Sequence, residues 1–298
     1  MMRILIASDG SDQASDAAHF ATLIAQPAAA EIILLGVQTG RRDSDFERRL
    51  DALAQEIGAL ELRIREGNPV QQITAEVDAA RNLGLPYHLV VVGARGRRRI
   101  IGPFRLGSTS LKLSRQLETS LLIVPKARPQ LKTILVCTGA GEPGLSNGWA
   151  GATLAALMGG RVRVLHVMSQ IPLVLHAKYG DLTADAQNLI DSGSREGNHL
   201  LRILAIMAQL NIPPERVEPL IRNGLVIDEI LREARRDDYD LVVLGAHPQV
   251  PDAKSNPGLR ALLQENIAAQ VIVRARRPVL VIWSVDQSWS ESILRRAM

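Results

Sequence analysis

The sequence predicts an α/β fold: two tandem doubly wound domains, each a five-stranded parallel sheet with helices on both faces. Three observations predict it. Apolar runs of four to six residues recur along the chain, the pattern of strands buried on both faces of a parallel sheet. Helical patterns alternate with these runs, which implies βαβ units with right-handed crossovers. The whole order then repeats: RILIAS at 3–8 and TILVCT at 133–138 are matching runs 130 positions apart. At 298 residues the chain has the length of about two domains.

In the first half, the run 3–8 leads through a small polar segment into an Ala-rich helical pattern over 11–24. Strands are expected at 31–37 and 61–65, with a short helical stretch from Pro69. LVVV at 89–92 ends in Gly-Ala, and a short helix precedes a fifth strand at 120–124. The second half repeats the order. Its strands are expected at 133–138, 161–167, 217–222, 241–244 (again ending in Gly-Ala) and 279–283, with helices over 145–158 and from Val226. The segment 126–130, KARPQ, joins the halves. Identity between the halves is low, so the repeat rests on order and spacing. Two stretches stand outside it. The stretch 170–181 reads as a long loop, and 183–210 as one long amphipathic helix weakened by Gly193 and Gly197. In the tail, 285–298, Trp289, Ile293 and Leu294 lie at near-helical spacing, which predicts docking on the body of the protein rather than on a membrane.

Composition narrows the class. With 46% hydrophobic and 22% charged residues, disorder and coiled coil are poor descriptions. A single cysteine, Cys137, excludes an internal disulfide and a CxxC site, and its place in an apolar strand predicts a small buried hydrophobe. The apolar stretch at the amino terminus is too short for a signal peptide, and Asp9 interrupts it; no run approaches 18 apolar residues. A soluble, cytoplasmic protein with no membrane partner is expected. The net charge of +4 is mild, and nine aromatics leave little for base stacking, so nucleic acid is not an expected partner. The positive charge is concentrated: between Gly93 and Leu117 there is no acidic residue, while Arg95, Arg97, Arg98, Arg99, Arg105, Lys112 and Arg115 are basic.

Ligands of open parallel sheets bind beyond the carboxyl ends of the strands, where strand order reverses. There the first half reads GARGRRRIIGPFRLGSTS. Gly93 and Gly96 let the backbone approach a ligand closely. Gly107, Ser108 and Thr109 open a helix whose N–H groups and dipole favour an anion, and Arg95 and Arg97 can face phosphate charge. A solvated loop with a Ser N-cap is the plainer alternative. Asp9, in Asp-Gly-Ser after the first strand, fits either a ligand contact or an ordinary turn and cap. Val37, at a strand end, fits a core position as well as a ligand contact.

On these residues, the strand with Asp-Gly-Ser over 4–11 and Gly93-x-x-Gly96 followed by Gly107-Ser108, the chain resembles a tandem universal stress protein over 1–127 and 131–284. The glycine motif resembles that of the family's ATP-binding branch. The resemblance implies a Rossmann-like fold and ATP with Mg2+ in the first domain. Asp9 and Val37 then fall at the adenine and ribose end, and Gly93, Gly96, Gly107, Ser108 and Thr109 at the phosphates; Ala7 and Arg95 are expected to join the cofactor-binding set. It also implies an intramolecular pseudo-dimer through the fifth strands, with further homo-oligomers open, and a role in stress response. The family pattern has nine residues before the last Gly-Ser, whereas ten, 97–106, stand here.

The second half departs from the motif. Gly139 takes the place of Asp9, Gly245-Ala-His-Pro has no second glycine, and Glu265-Asn266 stand where Gly107-Ser108 do, a carboxylate that would repel phosphate. No ATP site is expected there. No P-loop or HExxH occurs, and no residue is expected to act as a nucleophile or general base. Two alternatives stay open beside nucleotide binding: a scaffold of the same fold working through a protein partner, and a slow ATPase.

Overall fold

The computed structural model describes residues 1–40, 44–94, 108–139, 141–169, 186–236, 238–246 and 267–297. The first half supplies β1 (Arg3–Ser8), β2 (Glu31–Gln38), β3 (Glu61–Glu66), β4 (Leu89–Gly93) and β5 (Ser120–Val124). The second supplies β6 (Thr133–Thr138), β7 (Arg161–Ser169), β8 (Val217–Gly224), β9 (Leu241–Gly245) and β10 (Val279–Ile282). They form one ten-stranded sheet in the order β3-β2-β1-β4-β5-β10-β9-β6-β7-β8. Within each half every pairing is parallel; the halves meet where β5 and β10 pair antiparallel, with Leu280 opposite Leu122. Each half is therefore a doubly wound five-stranded sheet, and the strand order reverses between β1 and β4 and between β6 and β9.

Strand alternation sends Ile4 and Ile6 to one face and Leu5 and Ala7 to the other, which suits burial on both sides. One face is covered by α1 (Asp12–Ala25), α2 (Ser44–Glu56), α5 (Glu142–Met158), α7 (Arg195–Gln209) and α10 (Gln287–Ala297). The other is covered by α3 (Pro69–Asn82), α4 (Ser108–Gln116), α8 (Val226–Arg236) and α9 (Ile267–Arg274). Each face carries a continuous core that crosses the seam between the halves.

The segment between β2 and β3, for which no helix is expected above, holds α2. Its Phe46, Leu50 and Leu53 recur at helical spacing and are all buried. The single helix expected over 183–210 is instead two among the described residues, α6 (Ala186–Asp191) and α7. Gly193 breaks it with φ +64°, and the Ser194 side chain then caps α7 by accepting the Gly197 N–H at 3.0 Å. The tail docks as α10 against α5. Ile293 is buried there, and the buried hydroxyls of Thr153 and Ser290 are 2.7 Å apart.

Candidate functional site

The ends of β1, β2 and β4 and the start of α4 bring together the first half's described candidates. Beyond β1 the turn is built by short hydrogen bonds. Gly10 N–H donates to Ser8 Oγ and Ser11 N–H to Asp9 Oδ1, each at 3.1 Å, and Ser11 Oγ accepts from Ala14 N–H to cap α1. Gly10 has φ +70°, and a Cβ there would lie 2.9 Å from the Phe46 ring, so the turn requires glycine. Asp9 is half-buried; Ala7 and Val37 are buried in the core on the α3 and α4 side of the sheet. Their side chains thus pack inward, and only their backbone is placed to meet anything beyond the strand ends.

Gly93 ends β4. An added Cβ would approach the Gln13 carbonyl oxygen to 3.2 Å, because the first turn of α1 lies against it. Its own carbonyl accepts a 2.9 Å hydrogen bond from the Ser110 hydroxyl, which ties the first turn of α4 to the end of β4. Ser108 is exposed at the start of α4, and Thr109 is half-buried. Gln13 Nε2 donates to the Pro125 carbonyl just past β5 at 2.6 Å. Gln13 and Ser110 are the positioning residues that sequence reasoning missed. Both are ordinary polar residues in the first turns of α1 and α4, and no motif singles them out. Arg95, Gly96 and Gly107 lie outside the described residues.

At the neighbouring end of β2 the geometry is closed. A Cβ on Gly36 would lie 2.2 Å from Leu50, and Phe46 and Leu50 cover that strand end. In the second half, the register places Thr138 opposite His166 as Ser8 is opposite Gly36, so Gly139 stands at the position of Asp9. There Asn147 Nδ2 donates to the Cys137 carbonyl at 2.9 Å, and the space beside Gly245 is taken by the Asn147 amide. Cys137 is buried, which pushes its thiol up from the usual range and leaves it unreactive.

A profile of the universal stress protein family matches the chain twice, over residues 1–125 and 130–282. No curated protein matches it. Among solved structures it is similar to a protein of unknown function from Pseudomonas aeruginosa PAO1, at 19% identity and TM-score 0.63. That alignment covers 100% of this chain and 97% of the other. A universal stress protein from Archaeoglobus fulgidus DSM 4304 aligns at 17% identity and TM-score 0.55, over 94% and 97%. Among the described residues no helix is long and apolar enough to cross a membrane. With both halves matched by the family profile, the chain belongs to the universal stress protein family, as a tandem of two family domains.

Proposed function

We propose that the first half binds one adenine nucleotide, ATP with Mg2+, and that the chain acts through this site as a regulatory module in stress response. The observation that carries the reading is the convergence of the Asp9 turn, the glycine end of β4 and the start of α4 at one point of strand reversal, held by the Ser110–Gly93 hydrogen bond. The donor set suits an anionic ligand. The start of α4 offers N–H groups and the Ser108 and Thr109 hydroxyls, and its first turn has no acidic residue. Arg95, Gly96 and Gly107 complete the phosphate end in sequence, and Asp9 and the backbone at Ala7 and Val37 the nucleoside end. Among the described residues the second half differs: Gly139 has no carboxylate, and Asn147 takes the space beside Gly245. One nucleotide per chain is therefore expected.

Thermal melts with and without Mg-ATP test this directly. At ligand near 100 times Kd the bound form gains about 2.7 kcal/mol, a rise of several degrees. The rise should vanish in Gly107→Glu, which sets a carboxylate at the phosphate end, and shrink in Asp9→Ala. Calorimetry should give a stoichiometry near one. No rise in wild type, with no nucleotide released on denaturation, would sink the reading in favour of a scaffold.

A further inference from the structure

A second cluster of polar groups is buried where the strands of the second half end. His166 Nδ1 lies 3.1 Å from the Thr138 carbonyl. A carbonyl only accepts, so Nδ1 carries the proton and Nε2 is bare. The Thr138 hydroxyl lies 3.2 Å from the Gly139 carbonyl and 3.3 Å from that of Gly144, and its one proton goes to these. In the tautomer that carries its proton on Nε2, His199 donates to the Thr138 hydroxyl oxygen at 2.7 Å and leaves Nδ1 bare. One threonine thus bonds two imidazoles whose centroids are 6.1 Å apart, each residue 5% exposed. The packing is tight: a Cβ on Gly144 would lie 2.6 Å from Thr138 Oγ1 and 3.0 Å from His199 Cε1. The cluster fastens three elements together, the turn between β6 and α5, the end of β7 and the first turns of α7.

The charged groups around it offset a buried proton only in part. From α5 comes Glu142, and from α7 Arg195, Glu196 and Arg202; Glu142 and Arg202 pair with each other at 2.8 Å and are both largely exposed. From β8, Ile221 stands opposite His166, and Arg222 is bonded to Glu233 at 3.0 Å. Asp191 of α6 is exposed and hydrogen-bonded by Gln187. No described carboxylate lies within hydrogen-bonding distance of either ring.

We propose that Thr138, His166 and His199 form an acid-released clasp: with both imidazoles neutral it locks α7 and the β6–α5 turn onto the sheet, and proton uptake by either ring opens it. A second N–H on either ring meets no described acceptor in a buried site, and two imidazolium ions 6.1 Å apart repel. Burial, then the neighbouring imidazole and Arg202, hold His199 down to about 4, with Glu142 partly opposing. Burial also lowers His166, partly offset by its bond to Thr138 and by Glu196. Both closed-state values lie below that of a free imidazole, so protons bind the open state more tightly. The closed form keeps its full stability above about pH 6.5 and loses it as pH falls below that value. For His199 the closed-to-open ratio falls roughly 30-fold between about pH 7.5 and 5. The clasp belongs to the second half and stands independently of nucleotide binding in the first.

The test is hydrogen exchange on the full chain at several pH values, corrected for intrinsic exchange, beside the double variant His166→Asn, His199→Gln. The Asn amide nitrogen replaces Nδ1 and the Gln amide nitrogen replaces Nε2, so both donors stay while proton binding is lost. Wild type should show at least about tenfold more opening of α7 and the β6–α5 turn at pH 5 than at pH 7, and the variant a flat profile. In an NMR titration of wild type, the His166 and His199 rings should remain neutral at pH 5.5 or until the clasp opens. Equal pH dependence in variant and wild type, or His166 and His199 titrating between pH 6 and 7 with α7 still protected, would overturn the clasp. If the variant does not fold, the wild-type titration decides alone.

Discussion

At the scale of single residues, the strongest internal echo of the repeat is a pair of buried glutamates. Glu76 of α3 is ion-paired to Arg63 and Arg65 of β3 and accepts the Tyr87 hydroxyl at 2.9 Å. Glu233 of α8 accepts from Arg222 at 3.0 Å and from the Tyr239 hydroxyl at 2.9 Å, with Arg163 alongside. Burial raises Tyr87 to about 12 and pushes Tyr239 up as well, so both phenols act as donors across the physiological range. Removing either carboxylate leaves arginines facing a partly dry pocket. Glu76→Ala and Glu233→Ala should each cost about 3 kcal/mol in urea unfolding, and Tyr87→Phe, which drops one hydrogen bond, about 1 kcal/mol. Equal, small losses in all three would show the pockets to be wet and the ion pairs weak. None of this was legible in the sequence. A charged residue in an amphipathic helix reads as solvent-facing, and only the fold shows that Glu76 turns inward to meet two arginines from a strand. Asp9 and Gly93 were legible because they sit at strand ends, where the type of residue is set by the turn.

At the scale of elements, the strands were read within one or two residues, because a strand buried on both faces is a short continuous apolar run. The helices were harder. In α2 the apolar residues are few, and polar residues fill the rest of the helix, so its period is faint until β2 provides something to pack on. The α6–α7 break hides in a pattern that still looks helical, with Gly193 and Gly197 its one signal in the sequence. Gly193 needs a positive φ, and Gly197 sits where a Cβ would lie 2.0 Å from the Leu189 carbonyl oxygen. Gly197→Ala therefore forces α7 away from α6, and it should lower Tm by several degrees despite the better helix propensity of alanine. Ser194→Ala removes only the cap and should cost about 1 kcal/mol. A stabilising Gly197→Ala would mean that α6 yields freely and contributes little to the second half. The candidate site is half legible for the same reason as the strands: Asp9 and Gly93 lie at strand ends, whereas Gln13 and Ser110 act through helix placement.

At the scale of the whole molecule, joining β5 to β10 turns two five-stranded sheets into one and removes two edges that would otherwise template association. The two remaining edges are guarded differently. β3 alternates Glu61, Arg63 and Arg65 with its apolar residues, and β8 carries Pro219, which has no N–H to offer. β5, SLLIV, has no such guard; all five of its residues are buried. A fragment ending at residue 127 leaves that strand bare along with the flank of α4 that packs on α9. It should therefore sediment as a dimer, with β5 pairing antiparallel to its own copy in place of β10. The tie from the Trp283 N–H to Ser120 Oγ, at 3.3 Å, is lost in such a dimer. Mixing the fragment with a separately made second half, 131–298, should convert the homodimer into the heterodimer, read as a shift to one species of the intact chain's mass. A fragment that stays monomeric at tens of micromolar would place the strength of the seam in the cores that cross it rather than in the strand pair. The second half would then be a partner held by its side chains, free to differ from the first at its strand ends without loosening it.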